Sequence, residues 1–154
     1  MSCTKIGANP AQTTTAAGFS LGDTHVDQDG NEFVYIQAGE ALTANAAVLI
    51  TEAGAAEMVD LTSTATAFGD RVGVISVAFD DTAYGWAQVY GAATVAVGSS
   101  CAANTAVNST STAGRVDDNA TSGAEVIDGL VTTGAEASNL AACLLSYPTV
   151  GATL

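Results

Sequence analysis

Apolar and polar residues alternate over short stretches along most of this chain, and that period-two pattern predicts strands. Thr24–Asp27 and Phe33–Gln37 are β-prone runs flanking Gln28-Asp29-Gly30-Asn31. Asp-Gly between two such runs predicts a hairpin, because glycine accepts the positive φ of the turn. The same acids, Asp27-x-Asp29-Gly30-x-Glu32, resemble the start of a calcium loop. The later bidentate acid is missing, so the turn reading is the stronger one. Further on, Tyr84-Gly-Trp-Ala-Gln-Val-Tyr-Gly91 runs into Ala92–Val97. Alternation puts Tyr84, Trp86, Gln88 and Tyr90 on one strand face, and Ala87 and Val89 on the other. Such an aromatic row is either core or, if it faces outward, a contact patch, which makes Tyr84, Trp86 and Tyr90 candidate interface residues. The apolar stretch from Leu140 to Tyr147 predicts a last buried strand, stopped by Pro148, with Val150–Leu154 as a short extension. A short helix over Ala135–Leu145 is the alternative.

Residues 1–20 show neither period and are rich in Thr, Ala and Gly. They predict an extended arm that orders by lying on a neighbour, with Lys5, Ile6 and Phe19 as its candidate contacts. Residues 21–154 then form a single β-rich domain.

An internal echo adds to this pattern. Residues 44–54 read Ala-Asn-Ala-Ala-Val-Leu-Ile-Thr-Glu-Ala-Gly, and residues 103–114 read Ala-Asn-Thr-Ala-Val-Asn-Ser-Thr-Ser-Thr-Ala-Gly. Both obey A-N-x-A-V-x-x-T followed by A-G, at an offset of 104 − 45 = 59 at the asparagine and 114 − 54 = 60 at the glycine. Each copy is followed by an acidic stretch and a second strand signal, at Gly69–Val77 and at Gly123–Val131. Repetition at a fixed period marks a duplicated unit, here a pseudo-symmetric barrel or sandwich.

Composition agrees with strands: 48% of residues are hydrophobic but only 12% charged and 6% aromatic, so any core is built from small and β-branched side chains. The net charge of −13, with Lys5, Arg71 and Arg115 the only Lys or Arg residues, excludes a nucleic-acid role, since so few cations cannot neutralise many phosphates. It also opposes binding to an anionic membrane. The N-terminal stretch has no apolar signal-peptide core, and no run reaches the ~18 apolar residues of a membrane span. The expectation is a soluble chain that is not conventionally secreted.

Candidate chemistry is sparse. His25 is the only histidine, and it is expected to be exposed beside the hairpin. No serine lies in a G-x-S-x-G context, and no glycine cluster precedes a helix to cradle phosphate. Asp80-Asp81 and Asp117-Asp118 fall in turn-like segments. Cys3, Cys101 and Cys143 are widely spaced and far from His25 in sequence, so no metal site is expected. They are read as reduced structural thiols, with a Cys101–Cys143 bridge as the alternative. These readings imply no enzyme and no cofactor.

The succession "ANAAVLITEAGAAEMVD", "DRVGVISVA", "YGWAQVYGAATVAV", "CAANTAVNSTSTAGRVDD" and "VIDGLVTT" resembles the capsid decoration, or cement, proteins of tailed bacteriophages over about residues 20–150. The resemblance implies an all-β protein, a small β-barrel or β-sandwich with an extended N-terminal arm. It also implies a virion subunit on the outer capsid surface, made in the host cytoplasm. Its partners would be the major capsid protein and further copies of itself as a trimer, which tie neighbouring capsomers together. The alternative is the receptor- or glycan-binding head of a phage tail or fibre protein.

Overall fold

Strand β1 (Thr24–Val26) and strand β2 (Glu32–Ala38) form the hairpin at 28–31, paired from Thr24–Val34 to Val26–Glu32, in a computed structural model that describes residues 3–119 and 121–154. The turn is locked by one side chain. Asp27 Oδ1 accepts the N–H groups of Asp29 and Asn31 at 2.9 Å each, and Oδ2 accepts from Asn31 Nδ2. Gly30 takes φ 84°. Desolvation opposes the Asp27 charge, yet the hydrogen bonds from Asn31 and Asp29 outweigh it and hold the carboxyl below its usual value. The first acid of the stretch that resembles a calcium loop, Asp27, thus has both carboxylate oxygens engaged in holding the turn.

The remaining elements are β3 (Ala47–Ile50), β4 (Ala55–Met58), the single-turn helix α1 (Leu61–Thr64), β5 (Arg71–Val74), β6 (Tyr84–Ala96), β7 (Ala106–Ser109), β8 (Val116–Asp117), β9 (Glu125–Thr132) and β10 (Leu140–Thr153). The fold is all-β, with the strands in one mixed ten-stranded sheet. Pairings close this sheet into two rings. In the first, β2 pairs with β4 in parallel, β4 with β3, β3 with β5, β5 with β6, and β6 returns to β2. In the second, the continuation of β6 meets β8 through a parallel bridge at Val97–Val116; β8 pairs with β7, β7 with β9, β9 with β10, and β10 returns to β6. Each ring is a small barrel, and the 13-residue strand β6 serves both.

The echo in the sequence is this duplication. Asn45 and Asn104 both take left-handed backbone, at φ 62° and 58°, just before β3 and β7. Gly54 and Gly114 take φ 83° and 79° in the turns before β4 and β8. Asparagine and glycine are the residues that tolerate this conformation, which is why those letters recur. The same step of 59 carries Ala38, bridged in parallel to Ala56, onto Val97, bridged in parallel to Val116 (97 − 38 = 59). The two uses of β6 meet at Gly91, whose φ is 99° and where a Cβ would lie 2.1 Å from Asn31 Oδ1.

Narrow barrels need small interior side chains. The first is filled by Val34, Ile36, Val48, Ile50, Ile75, Ala87 and Val89, and the second by Val95, Val107, Ile127, Leu130, Cys143 and Leu145. Strands β3 and β5 are buried on both faces: Val48 and Ile50 point into the first barrel, while Leu49, Val72 and Val74 join the second core. Gly73 lets β5 pack closely on the first core, since a Cβ there would sit 3.1 Å from Ala87 Cβ and Ile50 Cδ1. The barrels are also tied by backbone, with Gly69 N–H donating to Val150 O at 2.7 Å and Val150 N–H to Asp70 O at 2.9 Å.

One expectation about the C-terminal region is corrected. Pro148 does not stop the last strand, because β10 runs through it to Thr153. The register with β9 shifts between Leu145 and Thr149, so Ser146, Tyr147 and Pro148 bulge from the ladder and the missing N–H of proline is not needed there. Of the two readings of this region the strand holds from Leu140, where β10 begins, and in place of the alternative helix over 135–145 the residues just before it make a tight turn, with Ser138 and Asn139 at φ 57° and 61° and the Glu136 carboxylate accepting Asn139 N–H at 2.6 Å.

Candidate interaction surfaces

The outward face of the first barrel carries Phe33, Tyr35 and Trp86, and it is covered by the chain's own N-terminal arm. Thr14 forms a two-way bridge with Tyr84, with N···O distances of 2.9 and 2.8 Å. Gly18 N–H donates to Tyr35 Oη at 3.0 Å, and the Phe19 ring packs edge-on against Tyr35 and Trp86 with centroids 5.3 and 5.1 Å apart. Nearer the terminus, Val26 N–H donates to Cys3 O, and Lys5 N–H donates to His25 Nδ1 at 3.1 Å. Met1 and Ser2 of the expected arm lie outside the described residues.

This placement sorts the candidate contacts. Trp86 is 3% exposed, and with the half-buried Phe19 it belongs to an internal aromatic core, so neither is a free contact residue. Tyr84 is half-buried beneath Thr14. Lys5 is paired with Asp23 at 3.2 Å. Ile6 and Tyr90 are the exposed ones, at 98% and 41%. His25, expected at the surface, is buried at 6%, because the arm closes over it and its ring stands 5.6 Å from that of Trp86.

The equivalent face of the second barrel is open. Leu144 of β10 and Val131 of β9 are directly paired and are 51% and 42% exposed. Ala92 lies across from Leu144, and Thr94 across from Ala142. None of these residues is charged. At one end of this face Tyr90 stacks on Tyr147, with centroids 5.2 Å apart. Tyr147 is 54% exposed and stands at φ 49° in the β10 bulge, an uncommon conformation for a bulky residue. A hydrogen bond to Glu32, with some desolvation and the negative charge of that neighbour, raises the Tyr147 phenol above its ordinary value.

A second feature adjoins Tyr147. The mouth of the first barrel holds a cavity of about 590 Å³, floored by Val34, Ile50 and Val89 and rimmed by Glu32, Glu52, Asp70 and Arg71. Strand ends supply the rim: Glu32 opens β2, Arg71 opens β5, and Glu52 follows β3.

The third feature is a donor cluster of the kind that the cysteine spacing did not suggest. Cys101, Asp117 and Asp118 bring one ligand atom each to within 4.8 Å of one another. Burial, reinforced by the neighbouring carboxylates, raises the Cys101 thiol and the Asp117 carboxyl above their usual values. Such a set can hold a cation. Its carboxylates already hold the local loops, with Asp118 Oδ2 accepting Ala102 N–H at 3.1 Å and Asp117 Oδ1 accepting Asp118 N–H at 2.9 Å. Cys101 and Cys143 are both free thiols buried in the second core.

No protein-family model matches the chain, and no curated protein matches it.

Proposed function

We propose that this chain is a structural virion protein that sits on the outside of a tailed-phage capsid and stabilises the shell by bridging capsomers. The observation that carries the reading is the open face of the second barrel. In a chain of net charge −13, a solvated sheet face is expected to bear acids. Here the patch made by the paired Leu144 and Val131, with Ala92 and Thr94 beside them, bears none, and the exposed β9 acid on the outward side, Asp128, lies beyond the bulge against Gly151. A face of that kind is suited to burial against another protein, at about 25 cal/mol for each Å² of apolar surface covered. The major capsid protein is the partner, and a homotrimer is the assembly. Many weak contacts of this sort act together on a symmetric shell, so modest single-site affinity is enough. Acidity elsewhere on the surface suits an outward-facing position and opposes contact with packaged DNA. Since the described arm residues lie on their own barrel, the bridging contact is assigned to the open face and not to the arm.

Copy number tests this reading. Quantitative mass spectrometry of purified particles is expected to find hundreds of copies per virion, released by a Leu144→Lys substitution that leaves the fold intact. A handful of copies located at the tail would overturn it. That outcome belongs to the second reading, a receptor- or glycan-binding head of a tail or fibre protein. The second reading draws on the barrel mouth, where an exposed tyrosine stands beside acids in a concave site.

A further inference from the structure

The mouth of the first barrel combines three kinds of surface. Its floor is apolar, formed by Val34, Ile50 and Val89, core residues that are 2–3% exposed. Its rim has three carboxylates, from Glu32, Glu52 and Asp70, against the one guanidinium of Arg71, a net of two negative charges (3 − 1 = 2). Tyr147, exposed in the β10 bulge and stacked on Tyr90, lines it as well. At about 590 Å³ the cavity lies within the ~300–1,000 Å³ of small-ligand sites, and barrel mouths are a common place for them.

An apolar floor beneath an acidic rim and beside an aromatic face is complementary to a long side chain with an aliphatic stem and a cationic head. The stem covers apolar surface, the head meets carboxylates, and the cation is attracted to the negative face of the ring. We propose that this mouth binds an arginine or lysine side chain presented by a partner polypeptide, with its head between Glu52, Asp70 and the Tyr147 ring. The charge balance favours this occupant over the others. A neutral sugar would also stack on Tyr147, but it brings as many donors as acceptors to a rim dominated by acceptors. An anion would meet the field of a chain carrying −13. Arg71 offsets one carboxylate and gives the rim a donor for the peptide carbonyl next to the bound side chain. The inference goes beyond the shell reading, since it names the chemistry of a contact and holds whichever protein supplies the cation.

The test is a titration of the isotope-labelled full chain with acetyl-Ala-Arg-Ala-amide, followed by amide NMR. The expected result is saturable shifts at Glu52, Arg71 and Tyr147. The citrulline counterpart, which keeps the shape and loses the charge, should produce none. Glu52→Gln and Asp70→Asn, both at exposed positions, should each weaken binding about threefold to fivefold while leaving the spectrum of the barrel cores unchanged. Any of four results would overturn the proposal: no shifts with the arginine peptide, equal shifts with citrulline, saturation of the mouth by a neutral disaccharide, or binding of spermidine without binding of the peptide. Loss of particle association, measured separately, leaves this outcome untouched and bears only on the shell reading.

Discussion

Replacing Phe19 with alanine removes the ring that pins the N-terminal arm to its own barrel. Phe19 packs edge-on against both Tyr35 and Trp86, and aromatic pairs of this geometry contribute roughly 0.5–1.5 kcal/mol each beyond the area they bury. Full truncation of a core phenylalanine costs about 3–5 kcal/mol. Phe19 is half-buried, so about half that value applies and the expected loss is ~2 kcal/mol, or roughly 4–8 °C in Tm for a chain of this size. The protein carries its own probe, because Trp86 is the only tryptophan and lies directly under the Phe19 ring. In Phe19→Ala the native emission should move to the red and become quenchable by acrylamide. Both effects should be independent of protein concentration, since cover and core belong to one chain. An unchanged emission with under ~0.5 kcal/mol lost in urea titration would refute the packing argument. Emission that turns red on dilution of the unmodified protein would show that the arm's partner is another copy.

Gly91→Ala should destabilise by at least about 2 kcal/mol, because a side chain at φ 99° is strained and its Cβ would meet Asn31; an unchanged urea midpoint would remove Gly91 as the junction of the two barrels. Burial pushes the Cys143 thiol up to about 12, so iodoacetamide at pH 8 should alkylate the exposed Cys3 and spare Cys143 until the chain unfolds; mass spectrometry showing equal rates would contradict the packing of β10. Asp117 has a folded pKa raised above the unfolded 3.8, so the folded state holds its proton more tightly and stability falls as pH rises from about 3.8 through the raised value. Asp117→Asn should therefore raise Tm at pH 7 with the gain vanishing below about pH 4, and a gain that persists at pH 3 would point to some other cause.

The hairpin, the aromatic strand and the duplication were legible in the residues because each depends on local backbone chemistry. Asp29-Gly30 between two β-prone runs is a local turn signal, and the echo survives in the two asparagines and glycines that take left-handed backbone. The small interior of each barrel likewise follows from a composition rich in Ala and Val. Pro148 reads as a strand stop because the letter shows a missing N–H but not the register shift that makes the loss harmless. The aromatic row was ambiguous for a related reason. Alternation says that Tyr84 and Trp86 share a face, whereas only the path of residues 3–20 decides that the face is covered and that Tyr90, beyond the arm, is not. The barrel mouth draws on positions 32, 52, 70, 71 and 147, and the thiol and carboxylates of Cys101, Asp117 and Asp118 meet across a loop. No spacing in the chain announces either, because ring closure through the parallel bridges at Ala38–Ala56 and Val97–Val116 is a contact between distant strands. Local propensity determined the strands and their turns; the closure of two rings about one shared strand determined which faces meet water.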